Sequence, residues 1–261
     1  MSDSKFRVVA VTGAASGVGH AVTSALLRQG WVVAAIDVAT IPDDLADVSP
    51  NAGDLLIRLN CDLRSPASIA AVFAEIGARH AELHALVCCA GVLRVAPMDS
   101  MSVEDFDLIF DVNTRAPWLC VQAALKLLRS TATAEQPTRA IIVSSLGATR
   151  PKVGVGIYSA SKAAVSQMVR TLAVELARDH VLVNAIEPGS MDTAMRRAAR
   201  AKVAAGGYQP SAVPPLGRAV EPNDVANVVK LLLSPEASFV TGISMTLDGG
   251  AGAAYQPGSG G

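Results

Sequence analysis

Thr12-Gly13-Ala14-Ala15-Ser16-Gly17-Val18-Gly19 is the stretch that decides the fold. An apolar run, residues 6–11, precedes it and a helical pattern follows it to about Arg28, so the predicted order is strand, glycine-rich turn, helix. Glycines let the backbone approach a ligand closely, and a helix N-terminus presents unpaired N–H groups with a partial positive charge. Both properties suit a pyrophosphate. Taken alone, the turn is better interpreted as tight packing between two elements, so the rest of the sequence has to decide.

Two further strands are predicted to end on acidic residues. Residues 31–36 form a buried strand that ends on Asp37. An acid at the end of the second strand of a βαβ unit typically binds the ribose hydroxyls of NAD and would repel the extra phosphate of NADP, so NAD is the predicted cofactor. The next strand, 55–60, stops at Cys61-Asp62-Leu63, where Asp62 could contact an adenine or simply cap a turn.

The remaining pattern alternates strands and helices to the end of the chain. Further strands are predicted at 83–89, 140–143, 182–186 and 243–247, and helices at 66–79, about 102–129, through Tyr158 to about 178, and 222–233. Such alternation predicts an α/β fold of the Rossmann type, with a doubly wound parallel sheet of about seven strands and helices on both faces. Residues 1–261 are expected to form one domain, with a mobile substrate lid at about 190–215, where glycines and prolines cluster.

Composition excludes several classes of protein. A net charge of -1 with 17% charged residues leaves no basic surface for nucleic acid. No apolar run approaches the roughly 18 residues of a membrane span, and the start of the chain lacks the pattern of a signal peptide, so a cytoplasmic protein is predicted. The spacing of the four cysteines fits neither a disulfide framework nor a metal site, which favours reduced thiols in the core.

Tyr158 and Lys162 are the predicted chemical centre. Residues four apart on a helix share one face, so the lysine ammonium can reach the tyrosine hydroxyl and favour its ionised form. The spacing alone is weak evidence, because such pairs usually lie on a surface. Ser144-Ser145, thirteen residues earlier, follows a β-branched strand whose carboxyl end would meet the ligand crevice of a doubly wound sheet. Ser145 can therefore lie beside the tyrosine.

Nearly the whole chain resembles the short-chain dehydrogenase/reductase family. The glycine turn looks like the family's Thr-Gly-x-x-x-Gly-x-Gly motif. Asn113, Ser145, Tyr158 and Lys162 match its catalytic tetrad in order and spacing, and Pro188-Gly189 with Thr193 match the segment that clasps the nicotinamide. The family's Asn-Asn-Ala-Gly motif is Cys88-Cys89-Ala90-Gly91 here, which departs at two positions. The side-chain hydrogen bond with which that motif supports the sheet is therefore not expected in this chain.

This resemblance implies a mechanism and a residue set. Tyr158 would act as acid/base, Lys162 would lower its pKa and bind the nicotinamide ribose, Ser145 would bond the substrate oxygen, and Asn113 would hold a helix distortion and a water. The implied cofactor-binding residues are Gly13, Ser16, Gly17, Val18, Gly19, Asp37, Cys61, Asp62, Leu63, Ala90, Gly91, Tyr158, Lys162, Pro188, Gly189 and Thr193. The resemblance also implies a homotetramer, with residues 106–128 and 158–178 at one interface and the last helix and strand at another.

A narrower resemblance concerns the substrate. Residues 90–94, 151–154 and 188–197 are similar to the 2,3-dihydro-2,3-dihydroxybenzoate dehydrogenases of catechol siderophore synthesis. Their ring carries a carboxylate that needs a cation, and Arg94, Lys152 and Arg197 lie in these stretches, although each alone is more typical of a solvated surface charge. The implied small-molecule substrate is a carboxylated ring alcohol.

Two other functions remain open at this stage. A 3-oxoacyl-thioester or other ketone reductase would share the fold and the tetrad, although Asp37 opposes it through cofactor choice. A protein that binds nucleotide as a sensor, without turnover, would also share the fold, and the intact tetrad opposes that alternative.

Overall fold

The computed structural model describes residues 6–191 and 213–253. Within them a seven-stranded parallel sheet has the order β3-β2-β1-β4-β5-β6-β7. The strands are β1 Val8–Thr12, β2 Val32–Asp37, β3 Leu56–Asn60, β4 Ala85–Cys88, β5 Thr138–Val143, β6 Val181–Pro188 and β7 Ser244–Leu247. The predicted fold class is confirmed, and each strand lies within a few residues of its predicted position.

The central strands are apolar along their whole length because helices cover both faces of the sheet. All five residues of β1 are buried, and β1 pairs with β2 on one side and β4 on the other. In this register Thr12 lies opposite both Ile36 and Cys88. The carboxyl ends of the three strands are therefore level with one another.

Seven α-helices surround the sheet in the described residues. They are α1 Gly17–Arg28, α2 Ala52–Leu55, α3 Pro66–Arg79, α4 Val103–Phe110, α5 Ala116–Thr131, α6 Gly156–Leu176 and α7 Pro222–Leu233. Helix α1 packs on α7, α3 packs on α5, and α6 packs on β6. In the described parts of the chain, no helix combines the length and the apolar character that crossing a bilayer requires.

One predicted helix differs from the structure in an informative way. The expected helix at about 102–129 consists of α4 and α5 joined by a π-helical segment, Asp111–Arg115. Hydrogen-bonding periodicity slips there by one residue, as is frequent at functional sites. The short helix α2 is an addition that the sequence pattern did not predict.

The order of the strands fixes where a ligand can bind. The chain builds β1, β2 and β3 outward in one direction and then returns to place β4 on the other side of β1. The crevice between the carboxyl ends of β1 and β4 is the topological switch point, which is the usual ligand site of an open parallel sheet. The glycine turn after β1 and residues 89–91 after β4 border this crevice.

Candidate active site

The glycine turn is packed so closely that Gly13 and Gly19 leave no room for a side chain. Gly13 has a φ of 71°, and a Cβ there would lie 2.7 Å from the backbone nitrogen of Ala90. A Cβ on Gly19 would lie 2.1 Å from the carbonyl oxygen of Gly13. Gly17 begins α1 with a φ of 55°. A bare backbone turn that leads into a helix N-terminus fits the pyrophosphate of a dinucleotide.

The other two predicted residues of this turn occupy different environments. Ser16 is exposed and precedes α1 without a side-chain capping bond, whereas Val18 is buried in the core. A phosphate at the turn would therefore meet backbone N–H groups and the exposed Ser16 hydroxyl, while Val18 anchors the start of the helix.

Asp37 lies beside the glycine turn, as predicted. Its Oδ2 accepts a hydrogen bond from the Ala15 N–H at 3.0 Å, and its Oδ1 accepts one from the Ala39 N–H at 3.0 Å. The carboxylate is thus fixed at the end of β2 next to the turn that suits the pyrophosphate. The carbonyl of Asp37 also accepts the N–H of Cys61 at 2.9 Å, which brings the predicted adenine segment, including the half-buried Leu63, to the same edge of the sheet.

Asp62 is engaged by a neighbouring arginine. Its Oδ2 accepts from Nη2 of Arg64 at 2.7 Å, and the two side chains form an exposed ion pair. The hydrogen bonds from Arg64 lower the pKa of the Asp62 carboxyl. The carboxylate therefore stays ionised at this edge, and its contact with an adenine remains a prediction.

Ser145, Tyr158 and Lys162 meet where β5 ends and α6 begins. Ser145 hydrogen-bonds the Tyr158 hydroxyl, and its Oγ also accepts from the Gly147 N–H at 3.0 Å. Lys162 is 4% exposed, donates from Nζ to the Val143 carbonyl at 2.9 Å, and has that nitrogen 6.0 Å from the centre of the Tyr158 ring. The structure thus brings these three predicted residues together.

The electrostatics of the pair correct one prediction. Burial raises the pKa of Tyr158 above its ordinary value, and the Ser145 hydrogen bond opposes this increase only in part. Burial also lowers the pKa of Lys162 to about 8. The expected lowering of the tyrosine pKa by the lysine is therefore wrong for the chain by itself, because desolvation disfavours both charged forms.

Asn113 lies within the π-helical segment and is fully buried. Its Oδ1 accepts from the Val92 N–H at 2.8 Å, while its Nδ2 donates to the Val92 carbonyl at 3.0 Å and to Ser161 Oγ at 3.1 Å. Ser161 in turn donates to the carbonyl of Tyr158 at 2.7 Å. The helix distortion expected at Asn113 is confirmed, and it ties the loop after β4 to the start of α6.

A cavity of about 140 Å³ has Tyr158 in its wall. Its wall includes the predicted residues Ser145, Lys152, Tyr158, Pro188 and Gly189. The wall also includes Leu93, Ser190 and Met191, which belong to the stretches 90–94 and 188–197, and Arg150 and Ser159, which the sequence analysis did not assign to the site.

The three predicted cations have different positions. Lys152 lines the cavity, with its Nζ 3.4 Å from Ser190 Oγ. Arg94 is not among the lining residues and forms an ion pair with Asp105, with 3.0 Å between Nε and Oδ1. Arg197 lies outside the described residues, as do Thr193 and most of the predicted lid.

Arg150 is the cationic residue that the sequence analysis missed. It lines the cavity, and its Nη2 donates to the carbonyl of Gly252 near the end of the described chain. Its position in the sequence could have indicated this role, because Arg150 directly precedes the stretch 151–154 that resembles the ring dehydrogenases. An arginine in a loop has no periodic neighbour that would show which way it points.

The substituted motif after β4 keeps its backbone contacts. The N–H groups of Cys89 and Ala90 donate to the carbonyl and to Oγ1 of Thr12, at 3.2 and 3.4 Å. Cys88 is buried and hydrogen-bonds the thiol of Cys120. Burial raises the pKa of the Cys89 thiol. Cys89 is therefore a neutral thiol, and the loop retains its connection to β1. A Cβ added at Gly91 would lie 3.7 Å from Lys162 Nζ, so this loop borders the lysine directly.

Comparison with known proteins identifies the family. A protein-family profile described as "Enoyl-(Acyl carrier protein) reductase" matches residues 13–252. A vibriobactin-specific 2,3-dihydro-2,3-dihydroxybenzoate dehydrogenase of Vibrio cholerae is 32% identical over 93% of this chain and 95% of its own length. The chain belongs to the short-chain dehydrogenase/reductase family. This oxidoreductase family therefore accounts for the glycine turn, the strand order and the tyrosine–lysine pair together.

Two other members show the range of the family near this sequence. A cis-4-hydroxycyclohexanecarboxylate dehydrogenase of Sinomonas cyclohexanicum is 32% identical over 94% of this chain and 96% of its own. The crystal structure of a 3-ketoacyl-(acyl-carrier-protein) reductase from Brucella melitensis, complexed with NADH, aligns with a TM-score of 0.81 at 25% identity. That alignment covers 94% of this short-chain dehydrogenase/reductase and 98% of the other chain.

Proposed function

We propose that this short-chain dehydrogenase/reductase oxidises a secondary alcohol on a carboxylated six-membered ring, with NAD as hydride acceptor. The proposed reaction is of the type that converts 2,3-dihydro-2,3-dihydroxybenzoate to 2,3-dihydroxybenzoate. The observation that carries the proposal is a small cavity with an acid/base tyrosine on its wall and two cations, Arg150 and Lys152, on the same wall. A ring of this kind needs both features.

In the proposed reaction Tyr158 removes the proton of the reacting hydroxyl. Ser145 hydrogen-bonds the same oxygen and the tyrosine hydroxyl, which orients both for proton transfer. Lys162, one helical turn after Tyr158, stabilises the ionised tyrosine and would contact the nicotinamide ribose. The bound nicotinamide supplies the hydride-accepting chemistry.

Asp37 supports NAD over NADP. Its carboxylate is held by two backbone N–H groups beside the glycine turn, where the adenosine ribose would lie. Ribose hydroxyls can donate to this carboxylate, whereas a 2′-phosphate would place negative charge against it. The first residues after β2 are Val38, Ala39 and Thr40, so no cation follows Asp37 directly to neutralise that phosphate.

Arg150 and Lys152 support a carboxylated substrate. Both belong to the loop between β5 and α6, which also carries Ser145. A guanidinium and an ammonium on one wall favour a carboxylate, and their charge-assisted hydrogen bonds fix the ring relative to Tyr158. Two relatives, the dehydrogenases of V. cholerae and S. cyclohexanicum, are named for hydroxylated six-membered rings that bear a carboxylate.

The chemistry of such a ring favours oxidation. Removing a hydride and a proton from one alcohol of a cyclohexadiene with two adjacent hydroxyls gives a hydroxyketone that tautomerises to a catechol. Aromatisation pulls the reaction forward, so the protein needs only to position the alcohol and accept its proton.

The second candidate is reduction of a 3-oxoacyl thioester. The fold similarity to the B. melitensis reductase favours it. Asp37 opposes it when NADPH is the hydride donor. Arg150 and Lys152 in the cavity wall also oppose it, because they favour an anionic substrate and an acetoacetyl thioester carries no anion near its ketone.

The test is NAD reduction with matched ring alcohols that do or do not carry the carboxylate. We expect turnover with the acids, and a Lys152→Met variant should raise KM for the acids about tenfold, as for loss of a hydrogen bond to a charged group. Lys126→Met, an exposed lysine on α5, is the matched control. Equal turnover of rings with and without a carboxylate would contradict the proposed substrate class.

A further inference from the structure

Ser159, the residue after the tyrosine, has a hydroxyl that no described group explains. The residue is 6% exposed and lines the cavity, yet its Oγ has no hydrogen-bond partner among the described residues. Three other buried polar atoms share this condition in the described chain, on Thr23, Trp31 and Ser244, and none of those residues lines the cavity. A buried hydroxyl without a partner is destabilising, so its position on a ligand cavity requires a reason.

The position of Ser159 relative to the reacting groups supplies that reason. A Cβ built on Gly147 would lie 3.3 Å from Ser145 Oγ, 3.3 Å from Ser159 Oγ and 3.8 Å from Cε1 of Tyr158. The two serine hydroxyls therefore lie no farther apart than twice that first distance, and both are neighbours of Gly147. Two hydroxyls within that limit can each hydrogen-bond one of two substituents on adjacent ring carbons.

We infer that Ser159 is a specificity-determining residue that hydrogen-bonds a second hydroxyl of the substrate, on the ring carbon next to the one oxidised. The inference rests on the proposed function, since Ser145 and Tyr158 are taken to hold the reacting hydroxyl. A serine hydroxyl both donates and accepts, so it can pair with a neutral hydroxyl in either sense. In the proposed function Arg150 and Lys152 bind the carboxylate of the ring, so Ser159 is available to bind the second hydroxyl.

The consequence is a preference for vicinal diols over monohydroxy rings. When the second hydroxyl is present, it gives Ser159 Oγ the partner that it lacks. When it is absent, the buried oxygen stays unsatisfied throughout the reaction. Sites that hold a substrate hydroxyl discriminate against analogues without it for this reason.

The experiment compares two ring acids that differ only in this hydroxyl, 2,3-dihydro-2,3-dihydroxybenzoate and 2,3-dihydro-3-hydroxybenzoate. The variant Ser159→Ala should lower kcat/KM for the diol about tenfold and leave the value for the monohydroxy acid within about twofold of the parent. Because the parent hydroxyl has no partner in the described residues, the variant should fold with an unchanged or slightly raised Tm. Ser244→Ala removes another unpartnered buried hydroxyl away from the cavity and should change neither substrate.

A second readout separates this inference from the proposed function. Dissociation constants are measured for 2,3-dihydroxybenzoate and 3-hydroxybenzoate in the presence of NADH. The parent should bind the diol about tenfold more tightly, and Ser159→Ala should lose that preference. If neither dihydro ring is oxidised, the proposed function fails; if Ser159→Ala keeps the parent's ratio between diol and monohydroxy ligands, in turnover or in binding, the inference about Ser159 is overturned.

Discussion

Lys162 holds an amine in a buried position where its charge is disfavoured. Its Nζ donates to the Val143 carbonyl, and burial brings the pKa of the amine down from 10.5 to about 8. The cofactor ribose and the ionised tyrosine of the proposed reaction would each favour the charged form. The lysine is therefore poised so that the ligand, rather than the chain alone, determines its protonation.

The lowered pKa of Lys162 predicts that the stability of the folded chain depends on pH. Below about pH 8 the amine is charged in both states, and burying that charge destabilises the folded chain. Between about pH 8 and pH 10.5 the amine binds fewer protons in the folded than in the unfolded chain, so this destabilisation decreases as pH rises. The unfolding free energy of the parent, relative to a Lys162→Met variant, should thus increase across that interval. Urea unfolding at several pH values measures it, and a difference that is flat or falls with pH would contradict the assigned pKa.

For single residues, the sequence predicted which side chains form the site better than it predicted what surrounds them. Tyr158, Lys162 and Ser145 could be placed together because helix periodicity and the end of a parallel strand fix their relative positions. The environment of Arg94 could not be predicted, because its partner Asp105 lies on the start of α4, eleven residues away. The direction of the Tyr158 pKa was missed for a related reason, since desolvation depends on packing that no spacing encodes.

Among the elements, the π-helical segment between α4 and α5 does most to connect the site to the sheet. Asn113 satisfies both backbone groups of Val92 and a side chain of α6 from this one position. A regular helix would turn the side chain away from at least one of these partners. The distortion is therefore maintained by the hydrogen bonds that it makes possible.

We expect Asn113→Ala to destabilise the protein by at least about 2 kcal/mol, because two backbone groups of Val92 lose their partner at once. Activity should fall as well, since the contact to Ser161 positions α6. Asn51→Ala, at an exposed cap without a side-chain bond, is the control and should change stability by less than about 0.5 kcal/mol. Denaturant unfolding of both variants provides the comparison, and equal stabilities would show that the segment does not depend on Asn113.

Element boundaries were predictable where local signals stop a helix or strand. Pro66 and Pro222 each stand at the first helical position, and α3 and α7 begin at those residues as predicted. The short helix α2 has only four residues, too few to give a periodic pattern. The break between α4 and α5 is invisible to periodicity because the apolar face continues through it; the family resemblance supplied that expectation.

For the whole molecule, exposed apolar side chains bear on assembly. Phe239 is fully exposed between α7 and β7, and Leu231 is 52% exposed on α7. Trp118 and Val174 are exposed on α5 and α6. These positions fall on the two surfaces at which the family resemblance predicts contacts, and the tetramer stays a prediction. We expect light scattering to give four times the chain mass of 26.8 kDa.

A Phe239→Asp variant tests the second of these surfaces. An unpaired carboxylate buried in an interface is strongly unfavourable, so the variant should dissociate to a dimer without unfolding. Val38→Asp, an exposed apolar residue at the end of β2, should keep the parent mass. A parent that is monomeric at micromolar concentration, or a Phe239→Asp variant that stays tetrameric, would contradict this predicted interface.

The proposed activity is oxidation of a carboxylated ring alcohol by NAD, with Tyr158 as the base. The most direct measurement compares, in one preparation, NAD reduction by 2,3-dihydro-2,3-dihydroxybenzoate with NADPH oxidation by an acetoacetyl thioester, for the parent and for Tyr158→Phe. We predict that the ring acid with NAD gives the higher kcat/KM. Tyr158→Phe should lower that kcat/KM at least about a hundredfold. Efficient turnover of the thioester with NADPH, or a Tyr158→Phe variant as active as the parent, would contradict the claim.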